Sequence, residues 1–128
     1  MKSVLIVEDE IFIAMEIERI LQDAGYTVVS IAADQSEALA AAADANLAFV
    51  DLNLRDGPTG PGLARELAEK FGTRIVYVTA NPNQIERPAA TAIGYVRKPF
   101  SESAILTAAA IATDHTAAQS SHADLVRL

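Results

Sequence analysis

Residues 4–10 read Val-Leu-Ile-Val-Glu-Asp-Glu and join a short apolar run to three consecutive acids. Four apolar residues in a row, mostly β-branched, are typical of a strand that is buried on both faces of a parallel sheet. The acids Glu8, Asp9 and Glu10 follow where this strand ends. Open α/β sheets bind their ligands beyond the carboxyl ends of parallel strands. This stretch therefore predicts a parallel α/β sheet with an acidic site at one edge.

Similar apolar runs recur along the rest of the chain. The segments between them are amphipathic or rich in alanine and have helical spacing, and such alternation indicates β/α units. We therefore predict an α/β fold with a five-stranded parallel sheet. The further runs cover residues 28–32, 47–50, 75–78 and 94–96, and the helical segments cover residues 13–24, 35–43, 62–71 and 101–112.

Two parts of the chain depart from this alternation. Pro82 and Pro88 interrupt the segment before the fifth run, where residues 84–93 are the only candidate helix. Because proline removes a backbone donor and disfavours a helix interior, we expect this helix to be short and mobile. After residue 112 the sequence turns polar and loses its period. We predict a domain over residues 1–112 and an extension over residues 113–128, as extra helix or disorder, without an output domain.

Composition excludes several classes of protein. The 128 residues suit one domain, and the absence of cysteine excludes thiolate metal sites and thiol nucleophiles. A formal net charge of −7 argues against direct nucleic-acid binding. No apolar window is long enough for membrane insertion or a signal peptide, so we expect a cytoplasmic protein. Residues 1–51 hold ten acidic and two basic residues, which suggests a divalent cation or a basic partner.

Chemistry-bearing side chains follow four of the five runs. If these strands are neighbours, Glu8, Asp9, Asp51, Thr79 and Lys98 converge on one edge of the sheet. Clustered carboxylates repel unless a cation lies between them, and oxygen-only ligands favour Mg²⁺. Asp9 and Asp51 would be direct ligands, and a carboxylate held beside Mg²⁺ can also attack phosphorus to give an aspartyl phosphate. Lys98 would bind one phosphoryl oxygen and Thr79 another.

In their order and position at strand ends, Glu8-Asp9, Asp51, Thr79, Tyr95 and Lys98-Pro99 resemble the receiver domain of two-component response regulators. The resemblance covers residues 3 to about 112. It implies a doubly wound, flavodoxin-like or CheY-like (βα)5 fold with helices on both faces and strand order 2-1-3-4-5. It also implies a cis peptide bond between Lys98 and Pro99.

The same resemblance implies a role for each site residue. Asp51 corresponds to the phospho-acceptor, and Thr79 and Tyr95 to the switch hydroxyl and the switch aromatic. The remaining roles are Glu8 and Asp9 as the pair that holds Mg²⁺, the backbone carbonyl of Asn53 as a further metal ligand, and Lys98 as the phosphate-binding lysine. Asn53 and Asn81 lie two residues beyond Asp51 and Thr79, where their side chains could tune the phosphate lifetime.

The function implied is a phosphorylation-activated switch, as in stand-alone bacterial regulators. A sensor histidine kinase, or a phosphotransfer protein, would dock near the first helix and the loop that begins at Pro99, with Phe12 or Met15 as contacts. Output would be contact with an unidentified downstream protein or phosphate traffic, from a monomer or a phosphorylation-dependent dimer. The chain would catalyse only its own Mg²⁺-dependent phosphotransfer and autodephosphorylation.

Two other functions remain open. A binding-only, receiver-like adaptor would keep the fold without receiving phosphate. The presence of all the acceptor residues argues against it, whereas Pro88 and the irregular fourth helix keep it open. A hydrolase with an aspartyl-phosphate intermediate would also place an aspartate after a parallel strand. Such hydrolases carry a second aspartate two residues later as the general acid, whereas this chain has Asn53 there.

Overall fold

A computed structural model describes residues 2–113 and 121–128. In these residues one sheet of six strands has the order β2-β1-β3-β4-β5-β6, and its first five strands are parallel. The predicted α/β class and the order 2-1-3-4-5 are confirmed, and a sixth strand is added at the β5 edge. The strands are β1 (Ser3–Val7), β2 (Thr27–Ala32), β3 (Leu47–Val50), β4 (Arg74–Thr79), β5 (Ala92–Arg97) and β6 (Leu125–Arg127). The helices are α1 (Ile11–Asp23), α2 (Gln35–Ala41), α3 (Gly60–Phe71) and α4 (Glu102–Thr113).

The helices cover both faces of the sheet, which explains why the strands are continuously apolar. Side chains alternate along a strand, so that Val4 and Ile6 of β1 enter one core cluster while Leu5 and Val7 enter another. Helices α1 and α4 pack on the first cluster, and α2 and α3 on the second. Both faces of β1 are therefore buried, as the opening run predicts.

The segment between β4 and β5 forms a 3-10 turn, Pro82–Ile85, instead of an α-helix. The candidate helix over residues 84–93 does not form, because Pro88 interrupts it, and only the expected irregularity of this segment is confirmed. Its expected mobility stays a prediction. Ile85 and Ala89 are buried against the second core cluster. The backbone N–H of Ala89 donates a hydrogen bond to the hydroxyl of Tyr77 at 2.9 Å. Burial and this bond hold the segment in place of helical hydrogen bonds.

The expectation for residues 113–128 is wrong in part. Instead of extra helix or disorder, Leu125–Arg127 form β6, antiparallel to β5. A strand of three residues is too short for an alternation of apolar and polar side chains to be recognised in the sequence. It forms because β5 offers unpaired main-chain groups and a buried position for Leu125. Residues 114–120 lie outside the described part of the chain. Among the described helices none has the length and apolar character needed to cross a membrane.

Candidate functional site

The ends of the parallel strands bring the predicted site residues to one edge of the sheet. Asp51, after β3, donates its backbone N–H to the carbonyl of Val7 at the end of β1, at 2.9 Å. Lys98, after β5, donates its backbone N–H to the carbonyl of Thr79 at the end of β4, at 3.0 Å. These two bonds align the ends of β1 with β3 and of β4 with β5, and the parallel pairing of β3 with β4 joins the two pairs. A cleft of about 370 Å³ opens there, and Asp9, Asp51, Asn53, Thr79, Asn81 and Lys98 contribute to its walls.

Three carboxylates form a cluster in and beside this cleft. One oxygen from each of Glu8, Asp9 and Asp51 lies within 4.8 Å of the other two. Glu8 and Asp51 are buried, whereas Asp9 is exposed. Two buried carboxylates at this distance require a positive counter-charge, and an all-oxygen set of ligands suits a hard divalent cation. The residues present therefore fit a divalent metal.

Lys98 supplies a positive charge between the two buried acids. Its Nζ lies 2.6 Å from Glu8 Oε1 and 3.3 Å from Asp51 Oδ2. Burial raises the pKa of Glu8 to about 7, and the negative charge of Asp51 acts in the same direction, although the Lys98 hydrogen bond opposes both. Burial by itself would lower the pKa of Lys98, but the hydrogen bond and the negative charge of Glu8, together with Asp51, outweigh it and raise the pKa above its usual value. Lys98 is therefore a fixed cation at physiological pH.

Asp51 is held in a defined orientation within the cleft. The backbone N–H of Leu52 donates to its Oδ1 at 2.7 Å, and Lys98 faces its Oδ2. These two contacts hold the carboxylate in one orientation, and an ionised carboxylate can act as a nucleophile. Because Asp51 lines the cleft, a ligand that enters the cleft can reach it.

Thr79 lies at the far wall of the cleft and is almost fully buried. Its Oγ accepts a hydrogen bond from the backbone N–H of Asn81 at 2.9 Å, which leaves the hydroxyl proton available to an anion in the cleft. Asn81 itself is exposed. Tyr95 lies on β5, outside the residues that line the cleft, and packs partly buried against the second core cluster. The cis bond between Lys98 and Pro99 is present as expected.

Asn53 is tied to a residue that the sequence analysis missed. Its Nδ2 donates to Gln84 Oε1 at 2.9 Å, and Gln84 Nε2 donates to Asn53 Oδ1 at 3.1 Å. This pair joins the loop after β3 to the 3-10 turn after β4. No local pattern marks Gln84, because its partner is 31 residues away in sequence. The proposed effect of Asn53 and Asn81 on phosphate lifetime stays a prediction.

The fold and the cleft together define a doubly wound α/β protein with an acidic, lysine-containing site at the carboxyl edge of its sheet. The chain belongs to the response regulator receiver domains, and the sequence profile of that family matches residues 4–110. This match confirms the resemblance drawn from the motif residues.

Individual relatives agree with this assignment. The chain is 31% identical over 104 residues to the phyllosphere-induced regulator PhyR of Methylorubrum extorquens, with 77% of this chain and 38% of PhyR covered. It is 36% identical over 118 residues to the transcriptional regulatory protein PdtaR of Mycobacterium tuberculosis, with 87% and 56% covered. The solution structure of the PhyR REC domain of Erythrobacter litoralis superposes with a TM-score of 0.78 at 31% identity, covering 87% of this chain and 88% of that one. The chain thus spans 38% and 56% of these two full-length relatives.

Proposed function

We propose that this chain is a phosphorylation-activated signalling switch in which a histidine kinase, or a phosphotransfer protein, donates a phosphoryl group to Asp51. The observation that carries the proposal is the arrangement of Asp51, which faces Lys98 at 3.3 Å and shares a cluster with Glu8 and Asp9. In this proposal Glu8, Asp9, Asp51 and the backbone carbonyl of Asn53 hold Mg²⁺. The cytoplasmic location expected from the sequence also stays a prediction.

The transfer step follows from the contacts of Asp51. A carboxylate oxygen of Asp51 forms a bond to phosphorus while the bond from phosphorus to the donor's imidazole nitrogen breaks, and the electron pair stays on the imidazole. Lys98 donates a hydrogen bond to a phosphoryl oxygen, and the hydroxyl of Thr79 donates to another. Mg²⁺, when bound, neutralises charge on the transferred group. The Leu52 N–H fixes the orientation of the acceptor during the step.

The switch would begin at Thr79 and reach Tyr95 through β4 and β5. A phosphoryl group on Asp51 would attract the Thr79 hydroxyl, and any movement of Thr79 toward it would change the contact with the Asn81 backbone. Tyr95 lies on β5, the strand next to β4, so a shift of the β4 end would change its packing. A downstream protein would bind the altered surface, or the phosphoryl group would pass on. In this proposal the chain catalyses only its own phosphotransfer and autodephosphorylation.

Two observations weigh against the other functions. A hydrolase needs a general acid at residue 53, but Asn53 cannot transfer a proton at a useful rate and its amide is bonded to Gln84. A binding-only adaptor has no need for a partly buried lysine within reach of two buried carboxylates, since buried charges are costly.

Intact-protein mass spectrometry after incubation with acetyl phosphate tests the proposal. The wild-type chain should gain the mass of one phosphoryl group when Mg²⁺ is present and none when a chelator removes it. Asp51→Asn, which keeps the side-chain size and removes the nucleophile, should gain nothing under either condition. An unmodified wild type, also after incubation with a phosphorylated histidine kinase, would favour the binding-only adaptor. An equal gain in Asp51→Asn would show a different acceptor.

The proposed kinase contact is an exposed apolar surface beside the cleft. Phe12 is 83% exposed on α1, and a groove of about 520 Å³ runs from it to Pro99 and Phe100. Exposed apolar patches of this kind mark sites of protein contact. Phe12→Ala is expected to slow transfer from a kinase at least about tenfold, the loss of roughly 1.4 kcal/mol, because an exposed aromatic residue is a common binding hot spot.

Phosphoryl uptake from acetyl phosphate distinguishes a loss of kinase docking from a loss of the phosphoryl-transfer reaction itself. This uptake should be unchanged in Phe12→Ala, because the small donor enters the cleft without using α1. Phe71→Ala is the matched control, since Phe71 is also an exposed aromatic but lies at the end of α3. Equal kinase transfer in the two variants would place the docking surface elsewhere.

A further inference from the structure

The segment of residues 121–128 fits the β5 edge through its main chain. Gly94, Tyr95 and Val96 of β5 pair with Arg127, Val126 and Leu125, in that order. The backbone N–H of Leu128 adds a bond to the carbonyl of Ile93 at 3.0 Å. Without these partners, β5 would present an open edge of unpaired donors and acceptors.

Gly94 shows that the fit depends on close approach of the two strands. A Cβ atom at Gly94 would lie 2.1 Å from the carbonyl oxygen of Val126, and its two next neighbours would also be backbone atoms of this segment. Real Cβ atoms do not come this close to backbone, so any side chain at residue 94 would displace β6. The three atoms nearest to this Cβ all belong to β6, so the absence of a side chain at Gly94 matters for the docking of that strand.

Side chains anchor the segment at three further points, of which one is the hydrogen bond that Arg127 Nε donates to the carbonyl of Ile93 at 3.3 Å. Leu125 is 6% exposed and belongs to the core cluster that α4 covers. His122 Nε2 and Ser103 Oγ, at the start of α4, share a hydrogen bond at 2.7 Å. The exposed Val126 and Leu128 contribute less to this anchoring. The docking thus rests on one main-chain ladder, one buried leucine and two polar side-chain contacts.

We propose that this segment is exchangeable between copies, so that residues 121–128 of one copy can close the β5 edge of a second copy. Every copy carries both the edge and the strand that fits it, and exchange recreates each contact described above. At low concentration the docking within one chain prevails, because the tethered segment has a high effective concentration. The net charge of −7 on each copy also opposes association until salt screens it. This inference does not depend on phosphorylation.

Two complementary variants of the full chain test the exchange. In Gly94→Ala the added Cβ atom blocks the β5 edge, so that residues 121–128 of this variant are left free. In Leu125→Asp the β5 edge stays open, but residues 121–128 can no longer enter the core. Each variant alone should sediment as a monomer at micromolar concentration in moderate salt. Their mixture should contain a species of about twice the monomer mass, and isotopic labelling of one variant should show one copy of each.

The double variant Gly94→Ala/Leu125→Asp is the control, because it offers neither an edge nor a working segment. It should form no dimer with Leu125→Asp. A synthetic peptide of residues 121–128 gives a second measurement, since it should bind Leu125→Asp and fail to bind Gly94→Ala. The proposal is overturned if the folded single variants stay monomeric when mixed and the peptide binds neither, or if the double variant dimerises equally well.

Discussion

Lys98→Met is expected to slow phosphoryl uptake from acetyl phosphate by about a hundredfold or more, the usual loss when one preorganised donor to a developing charge is removed. The Lys98 ammonium lies 3.3 Å from Asp51 and can bind a phosphoryl oxygen while that carboxylate attacks. Methionine keeps an unbranched apolar side chain of similar length but has no charge. The rate of mass gain at saturating Mg²⁺ measures the effect.

The same substitution should lower the free energy of unfolding in the absence of Mg²⁺. It leaves Glu8 and Asp51 buried without their ammonium partner, and breaking a buried ion pair from one side costs about 3–5 kcal/mol. Added Mg²⁺ should recover much of this loss, because the cation replaces the missing charge, without restoring the rate. Lys98→Arg, which keeps the charge, is the control for stability. A wild-type rate in Lys98→Met would refute the role assigned to this residue.

Gly60→Ala is expected to destabilise the fold by about 3 kcal/mol, at the upper end of the usual cost of overpacking. Gly60 is the buried first residue of α3, and a Cβ atom there would lie 2.2 Å from the carbonyl oxygen of Asp51 and 2.6 Å from Cα of Leu52. Backbone cannot move aside as a flexible side chain can, so either α3 or the loop after β3 must shift. Because Leu52 also orients the Asp51 carboxylate, phosphoryl uptake should fall as well.

Gly62→Ala is the matched control two residues along the same helix. A Cβ atom at Gly62 meets only a side-chain nitrogen of Arg65, at 3.9 Å. Alanine is favoured over glycine inside a helix by about 1 kcal/mol, so this variant should be as stable as the wild type or more stable. Urea unfolding of both variants measures the difference. Equal stabilities would show that the close approach at Gly60 relaxes at little cost.

Much of the fold and site is predictable because the information is local. The run Leu47–Val50 is apolar throughout, since both faces of β3 are covered by helices, and this pattern predicts its strand. Once the strands are recognised, parallel pairing places Asp51 and Lys98 at the same edge without any further information. The polar residues at strand ends could therefore be grouped into one candidate site before their distances were known.

The sequence by itself determined the parallel α/β core and the convergence of Glu8, Asp51, Thr79 and Lys98. Burial on both faces leaves a continuous apolar run in the central strands β1, β3 and β4, and the polar residues that follow such runs lie at one edge of a parallel sheet. Only the tertiary structure decided the β6 strand and the Asn53–Gln84 pair. Both form between segments that are distant in sequence, and each involves too few residues to produce a recognisable hydrophobic period. Their stability comes from neighbours that exist only after the chain has folded, namely the open β5 edge and the turn after β4.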